Sequence, residues 1–217
     1  MCFSATASFA VGASLLGPGY YAIKHTKSPG MLTFACTPVL FSLHQIAEGF
    51  VWMSLKNPGF ASWYKPALYV YSFISQPLWP IWVPLTMWLM ETDKHRKKVL
   101  YYFLLLGGAS SIYMFYCLIR YDISAVVENC HIRYLRDFPF LNIMRPVNFV
   151  TIAVTPFLST LHYTKLLAAA MMGALILTYI FFTNYLISVW CFFAAILSLL
   201  IILVITSNKE AGRAIHA

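Results

Sequence analysis

Apolar positions fall into seven long runs, at about residues 3–23, 31–55, 64–90, 99–119, 146–161, 166–182 and 186–206. Short polar connections separate them. Runs of this length recurring along a whole chain are the pattern of membrane-spanning helices rather than of a buried core. The pattern predicts an all-α, polytopic membrane protein, a bundle of about seven transmembrane helices forming one domain over residues 1–217. The runs differ in character. The third carries Pro77, Pro80 and Pro84, and each proline removes a backbone hydrogen bond, freeing the carbonyls of Phe73, Gln76 and Pro80. The fourth holds Gly107, Gly108, Ala109, Ser110 and Ser111, small enough to let a neighbouring helix come close. The fifth is short and the least apolar, which makes it the weakest span. The longest connection is residues 120–145. Asn184 is placed to cap the tight turn between the last two runs.

Composition agrees with this pattern. Hydrophobic residues make up 60% of the 217, and charged residues only 10%, against about 25% in soluble domains. The net charge of +8 would raise nucleic acid in a soluble protein. Here the basic residues sit between apolar runs, where they set orientation and meet anionic lipid, and no nucleic-acid module is present. With the N-terminus outside, nine basic residues fall on the inner side: Lys24, Lys27, Lys94, Arg96, Lys97, Lys98, Lys165, Lys209 and Arg213. Six fall outside: Lys56, Lys65, Arg120, Arg133, Arg136 and Arg145. The positive-inside rule then predicts N-out and C-in.

Polar residues inside the runs carry the functional argument. Glu48 is the only acidic residue inside a span. A carboxylate there costs roughly 2.5–3.5 kcal/mol on insertion scales and should face the bundle interior. His44 lies one helical turn earlier on the same face, with Gln45 beside it. This stripe reads as a structural hydrogen-bond network, as a ligand or catalytic site, or as part of a metal site that would lack its third ligand. No zinc-binding spacing is present, so no metal is assigned. Gln76 adds a polar group to the proline-broken third run, which reads as a kinked packing helix or as a broken helix lining a cavity. The connection at 120–145 offers His131, Arg133, Tyr134 and Arg136, followed by Arg145 and Asn148. Arginine suits a semi-buried carboxylate or an anionic head group. The segment reads as a solvated loop or as a lid over a cavity floored by Glu48.

The opening residues Met1 to Phe9, reading MCFSATASF, the stretch Gln45 to Trp52, and the motif His131-Ile132-Arg133-Tyr134 together resemble a family of uncharacterised bacterial multi-pass membrane proteins. His44 departs from the glutamine of that pattern, which weakens a metal site built on it. The resemblance implies a polytopic helical fold in a bacterial inner membrane and groups Cys2, Glu48 and His131. It brings no activity and no cofactor. Microbial rhodopsins are excluded, because the last run has no lysine for a Schiff base. The seven-helix zinc amidohydrolases are excluded, because the helices lack their histidine pair.

These readings converge on an outward-facing polar pocket around Glu48 that binds a small ligand or a lipid head group. Cys2, Ser4, His44, Gln45, Gln76, Arg133, Tyr134, Arg136, Arg145 and Asn148 are its candidate ligand-binding residues. Glu48 and His131 are its candidate acid–base groups. Membrane lipids are the expected partners. The alternatives are an intramembrane hydrolase-type enzyme and a small-molecule transporter. Glu48 is expected to pair with Arg145, Arg133 or His131, and Cys2 to lie near Cys130.

Overall fold

A computed structural model of the chain describes residues 4–26, 28–128, 131–182 and 185–214. Helix α1 spans Ala5–Lys24, α2 Pro29–Ala35 and α3 Thr37–Lys56. A 3-10 stretch at Pro58–Trp63 leads to α4, Tyr64–Phe73, which passes through a π-helical turn at Ile74–Leu78 into α5, Trp79–Met90. Next come α6 at Lys94–Arg120, strand β1 at Ile123–Glu128 and strand β2 at His131–Arg136. The chain then forms α7 at Leu141–Leu158, α8 at Thr164–Phe181, α9 at Leu186–Leu197 and α10 at Leu200–Ala214. Helices α2 and α3, α4 and α5, and α9 and α10 follow each other almost without a break. The described helices therefore form seven segments, one for each apolar run. Five are long and apolar enough to cross a membrane: Gly30–Lys56, Lys94–Arg120, Leu141–Leu158, Thr164–Phe181 and Ser188–Asn208.

Two features depart from the expected pattern. The fold is not purely helical, because β1 and β2 pair as an antiparallel hairpin inside the long connection. The helix of the fifth run begins at Leu141, earlier than the run itself, and takes Arg145 and Asn148 into its first turns. Cys2, Cys130 and Asn184 lie outside the described residues.

Small residues let the helices meet backbone to backbone. On α1, Gly12 faces α3 so closely that a Cβ would lie 2.9 Å from the Ile46 side chain and 3.1 Å from the Ser42 carbonyl oxygen. Ser42 Oγ donates to the Gly12 carbonyl at 2.7 Å, tying the two helices together. The proline-rich segment is handled similarly. The π-helical turn takes in Pro77, forming a single-turn bulge between two α-helical stretches. Pro84 deprives the Pro80 carbonyl of its helical donor. That carbonyl is pressed onto α6 at Gly107, where a Cβ would come within 1.9 Å of its oxygen.

At the opposite end from the hairpin, Glu91 ties two connections together. It is buried (1% exposed). Its carboxylate accepts from the backbone amides of Thr92 and Asp93, both at 3.0 Å, and from Thr160 N at 2.8 Å and Thr160 Oγ1 at 2.7 Å. Burial alone would raise its pKa. The hydrogen bonds from Thr160, Asp93 and Thr92 outweigh burial and hold it below the ordinary value of 4.5.

Gly107→Ala must displace a backbone carbonyl rather than a flexible side chain, so it should cost about 1–3 kcal/mol. At Gly108 a Cβ would meet only Ile81 Cδ1, at 3.9 Å, so Gly108→Ala should melt close to wild type. Melting curves of both variants in detergent check this, and equal melting temperatures would contradict the packing. The depressed pKa of Glu91 means its contribution is fully present above pH 4.5 and is lost as the pH falls below it. Glu91→Gln should therefore lower the melting temperature at pH 7 and flatten its fall between pH 5 and pH 3, measured as a difference from wild type.

Candidate functional site

The hairpin positions the site. Side chains on a strand alternate between two faces. Ala125, Ile132, Tyr134 and Arg136 share the face turned to the bundle. Arg133, Leu135 and Asp137 point away. Buried Ala125 and Ile132 pack with Val51, Trp52, Ala67 and Leu68 of α3 and α4. The Tyr64 hydroxyl, at the start of α4, accepts from Ala125 N at 2.8 Å and donates to Ala125 O at 3.4 Å. The strand is thus clamped to the helix ends.

From this platform Tyr134 reaches into the bundle. Its ring stacks on Tyr71 with centroids 4.3 Å apart and planes 9° from parallel. Tyr71 in turn stacks on His44 at 4.2 Å and 19°. The three rings form a column descending from the hairpin into α3 and α4. Glu48 stands beside it and is 2% exposed. Ser188 Oγ donates to its Oε1 at 2.5 Å, and Ser8 Oγ to its Oε2 at 3.5 Å. Gln45 and Tyr134 also interact with this carboxylate electrostatically, although neither reaches it with good hydrogen-bond geometry.

The expected arginine or histidine partner of Glu48 is therefore replaced by two serines. Among the described residues the one ion pair is Arg133–Glu128, at 3.3 Å on the outer face of the hairpin. The serines give each carboxylate oxygen one donor without bringing a second buried charge.

A cavity of about 550 Å³ opens next to this cluster, bounded by the π-helical turn, β2, α7, α8 and α9. Gln76, Tyr134, Arg136, Arg145 and Asn148 line it, together with Ser75, Tyr179, Tyr185, Ser188, Trp190 and Cys191. Glu48 does not line it, but it holds Ser188, which does. His44 and Gln45 lie behind the wall, fully buried. Neither ring nitrogen of His44 has a hydrogen-bond partner, nor does the Gln45 amide. His131 sits beside the cavity, its ring stacked on the lining Tyr185 at 4.7 Å and 15°. Ser4 is used elsewhere, capping α1 by accepting from Ala7 N at 3.2 Å. Arg133 faces away. Cys2 is not among the described residues. Among those residues, no three of His, Cys, Asp and Glu gather as a metal would require.

The cavity is electropositive. Arg136 is pushed down to about 10, chiefly by burial and further by Arg145, with Tyr71 and Tyr134 working against both. It stays charged at neutral pH. Burial, then the nearby Glu48, pushes the Tyr134 phenol well above its usual range, so it remains a neutral donor. Asn148 accepts a hydrogen bond from Ser110 of α6 through its Oδ1, which leaves its amide N–H groups for the cavity.

A model of a family of unknown function, DUF6629, matches residues 1–216. The chain belongs to that family. No curated protein and no solved structure matches it. Three groups of the site carry no clear mark in the sequence pattern: Ser8, Tyr71 and Ser188. Ser8 comes nearest to one, continuing the small-residue face of α1 through Gly12. Ser188 had none, because a single serine in an apolar run usually bonds its own helix.

The serine cradle makes a prediction. Glu48→Ala would leave the Ser8 and Ser188 hydroxyls without their acceptor in a buried site and should cost about 1–3 kcal/mol. Glu48→Gln keeps an oxygen for Ser188 and should cost clearly less. Chemical or thermal denaturation of the two variants decides it, and the reverse order would refute the cradle.

Proposed function

We propose that this DUF6629 protein is a multi-pass protein of the bacterial inner membrane with seven spans. Its N-terminus lies outside and its C-terminus inside. It binds a small ligand or a lipid head group in the outward-facing cavity backed by Glu48. The observation that carries the reading is the cavity itself. A space of about 550 Å³ lies within the ~300–1,000 Å³ range of ligand sites. Its polar groups converge at the end covered by the hairpin. The orientation rests on the basic cluster Lys94, Arg96, Lys97 and Lys98, which begins α6 at the end remote from the hairpin.

A second reading draws on the 2.5 Å hydrogen bond from Ser188 to Glu48. A hydroxyl on a cavity wall, bonded to a carboxylate, has the arrangement of a nucleophile and its base. In that case Glu48→Gln would abolish turnover of a bound ester while binding persisted. A pure binder would show no turnover to lose.

Orientation is testable with single cysteines in a cysteine-free background. Cysteine at position 133, exposed on the outer face of the hairpin, should react with an impermeant maleimide in intact cells. Cysteine at position 97 should react only after permeabilisation. The opposite pattern would overturn the N-out arrangement and the outward-facing cavity with it.

A further inference from the structure

Arg136 and Arg145 line the same cavity and lie close enough to feel each other's charge. Neither forms an ion pair with a carboxylate among the described residues. Arg136 Nε is buried without a hydrogen-bond partner. Two cations brought together without an acidic counterpart repel each other, and an anion between them relieves the repulsion. Among the other polar groups lining the cavity, the Tyr134 phenol and the Asn148 amide can both act as donors.

The cavity changes character along its length. Arg145 and Pro146 stand near the start of α7, and Ile152 lies seven residues on, about 10 Å deeper at the helical rise. Helix α8 runs the other way, so Tyr179 stands at the polar end and Met172, Leu175 and Ile176 line the wall below it. Both Ile176 and Tyr179 line the cavity and are also exposed, at 52% and 63%. The cavity therefore opens sideways past α8, on the surface that faces the bilayer if α8 spans it.

We infer that the ligand is an anionic amphiphile, with its head between Arg136 and Arg145 and its hydrocarbon chain along α7 and α8, entering laterally from the outer leaflet. The inference rests on the pocket reading above and names the chemistry of its occupant. Guanidinium groups supply bidentate hydrogen bonds to phosphate or carboxylate oxygens. The apolar wall supplies burial for a chain already at the right depth in the membrane.

The test is native mass spectrometry of the full chain released from neutral detergent and titrated with three probes. These are a lysophosphatidic acid, the monoacylglycerol with the same chain, and inorganic phosphate. Lysophosphatidic acid should bind one per chain, and about tenfold or more tighter than either comparator. Arg145 is exposed, so Arg145→Gln should fold, lose about tenfold in lysophosphatidic acid affinity and leave monoacylglycerol unchanged. Ile176→Trp should weaken both lipids and spare phosphate.

Equal binding of the charged and uncharged lipid, with no effect of Arg145→Gln, would overturn the anionic head while the pocket reading stood. Phosphate binding as tightly as lysophosphatidic acid would overturn the hydrocarbon chain and leave a site for a free anion. If the folded wild-type protein bound none of the three, the inference and the pocket reading would fall together.

Discussion

Glu48 lies deep in an apolar bundle and is 2% exposed, so its carboxylate depends on the hydrogen bonds the protein supplies. Meeting that demand brings three helices to one point. Helix α1 contributes Ser8, α3 the carboxylate and α9 Ser188. The hairpin adds Tyr134 alongside. A residue costly to bury thus fixes how segments far apart in sequence must pack, since any arrangement that separated them would leave a buried acceptor unmet. The close approach of α1 to α3 through Gly12 brings Ser8 within reach. The same geometry turns Ser188 toward the cavity wall, which joins the polar interior to the space beside it.

The hairpin is the second organiser. It covers one end of the bundle with a small sheet whose inner face is chemically graded. Ala125 and Ile132 fill an apolar gap over α3 and α4, Tyr134 enters the aromatic column, and Arg136 points into the cavity. The column of His44, Tyr71 and Tyr134 is stiff, because three stacked rings leave little room for alternative rotamers. The arginine two residues further along the strand is therefore held in a fixed direction.

The long-range plan was legible in the sequence, because hydrophobic runs report burial directly, and each run became one helical segment. Local irregularity was harder to read. Residues 120–145 read as a loop or lid with no period to separate them, so Arg133 and Arg136 look equivalent in the sequence. Strand alternation places them on opposite faces, and only Arg136 belongs to the cavity. The cost of burying Glu48 points to the bundle interior, where the residue lies, but cost alone points to charged partners, and the donors are two serines. A carboxylate in a dry site is also satisfied by neutral hydroxyls, and single serines in apolar helices give no pattern to detect. Glu91 was passed over because it falls at the end of a run, where a carboxylate is unremarkable until its four donors are seen. The three prolines pointed to freed carbonyls but not to Gly107, whose role depends on α6 passing close to α5.

The clamp between Tyr64 and Ala125 has a consequence for how this protein meets its neighbours. In an antiparallel pair, every second residue turns its amide and carbonyl away from the partner strand, toward the open edge of the sheet. On β1 one such pair belongs to Ala125, and a single phenolic oxygen occupies both groups. An unprotected two-stranded sheet on a protein surface is a template onto which another chain can add a strand. With those groups taken, a third strand would find the ladder interrupted at Ala125. The hairpin can thus stand at the surface with part of its β1 edge already occupied from within the chain.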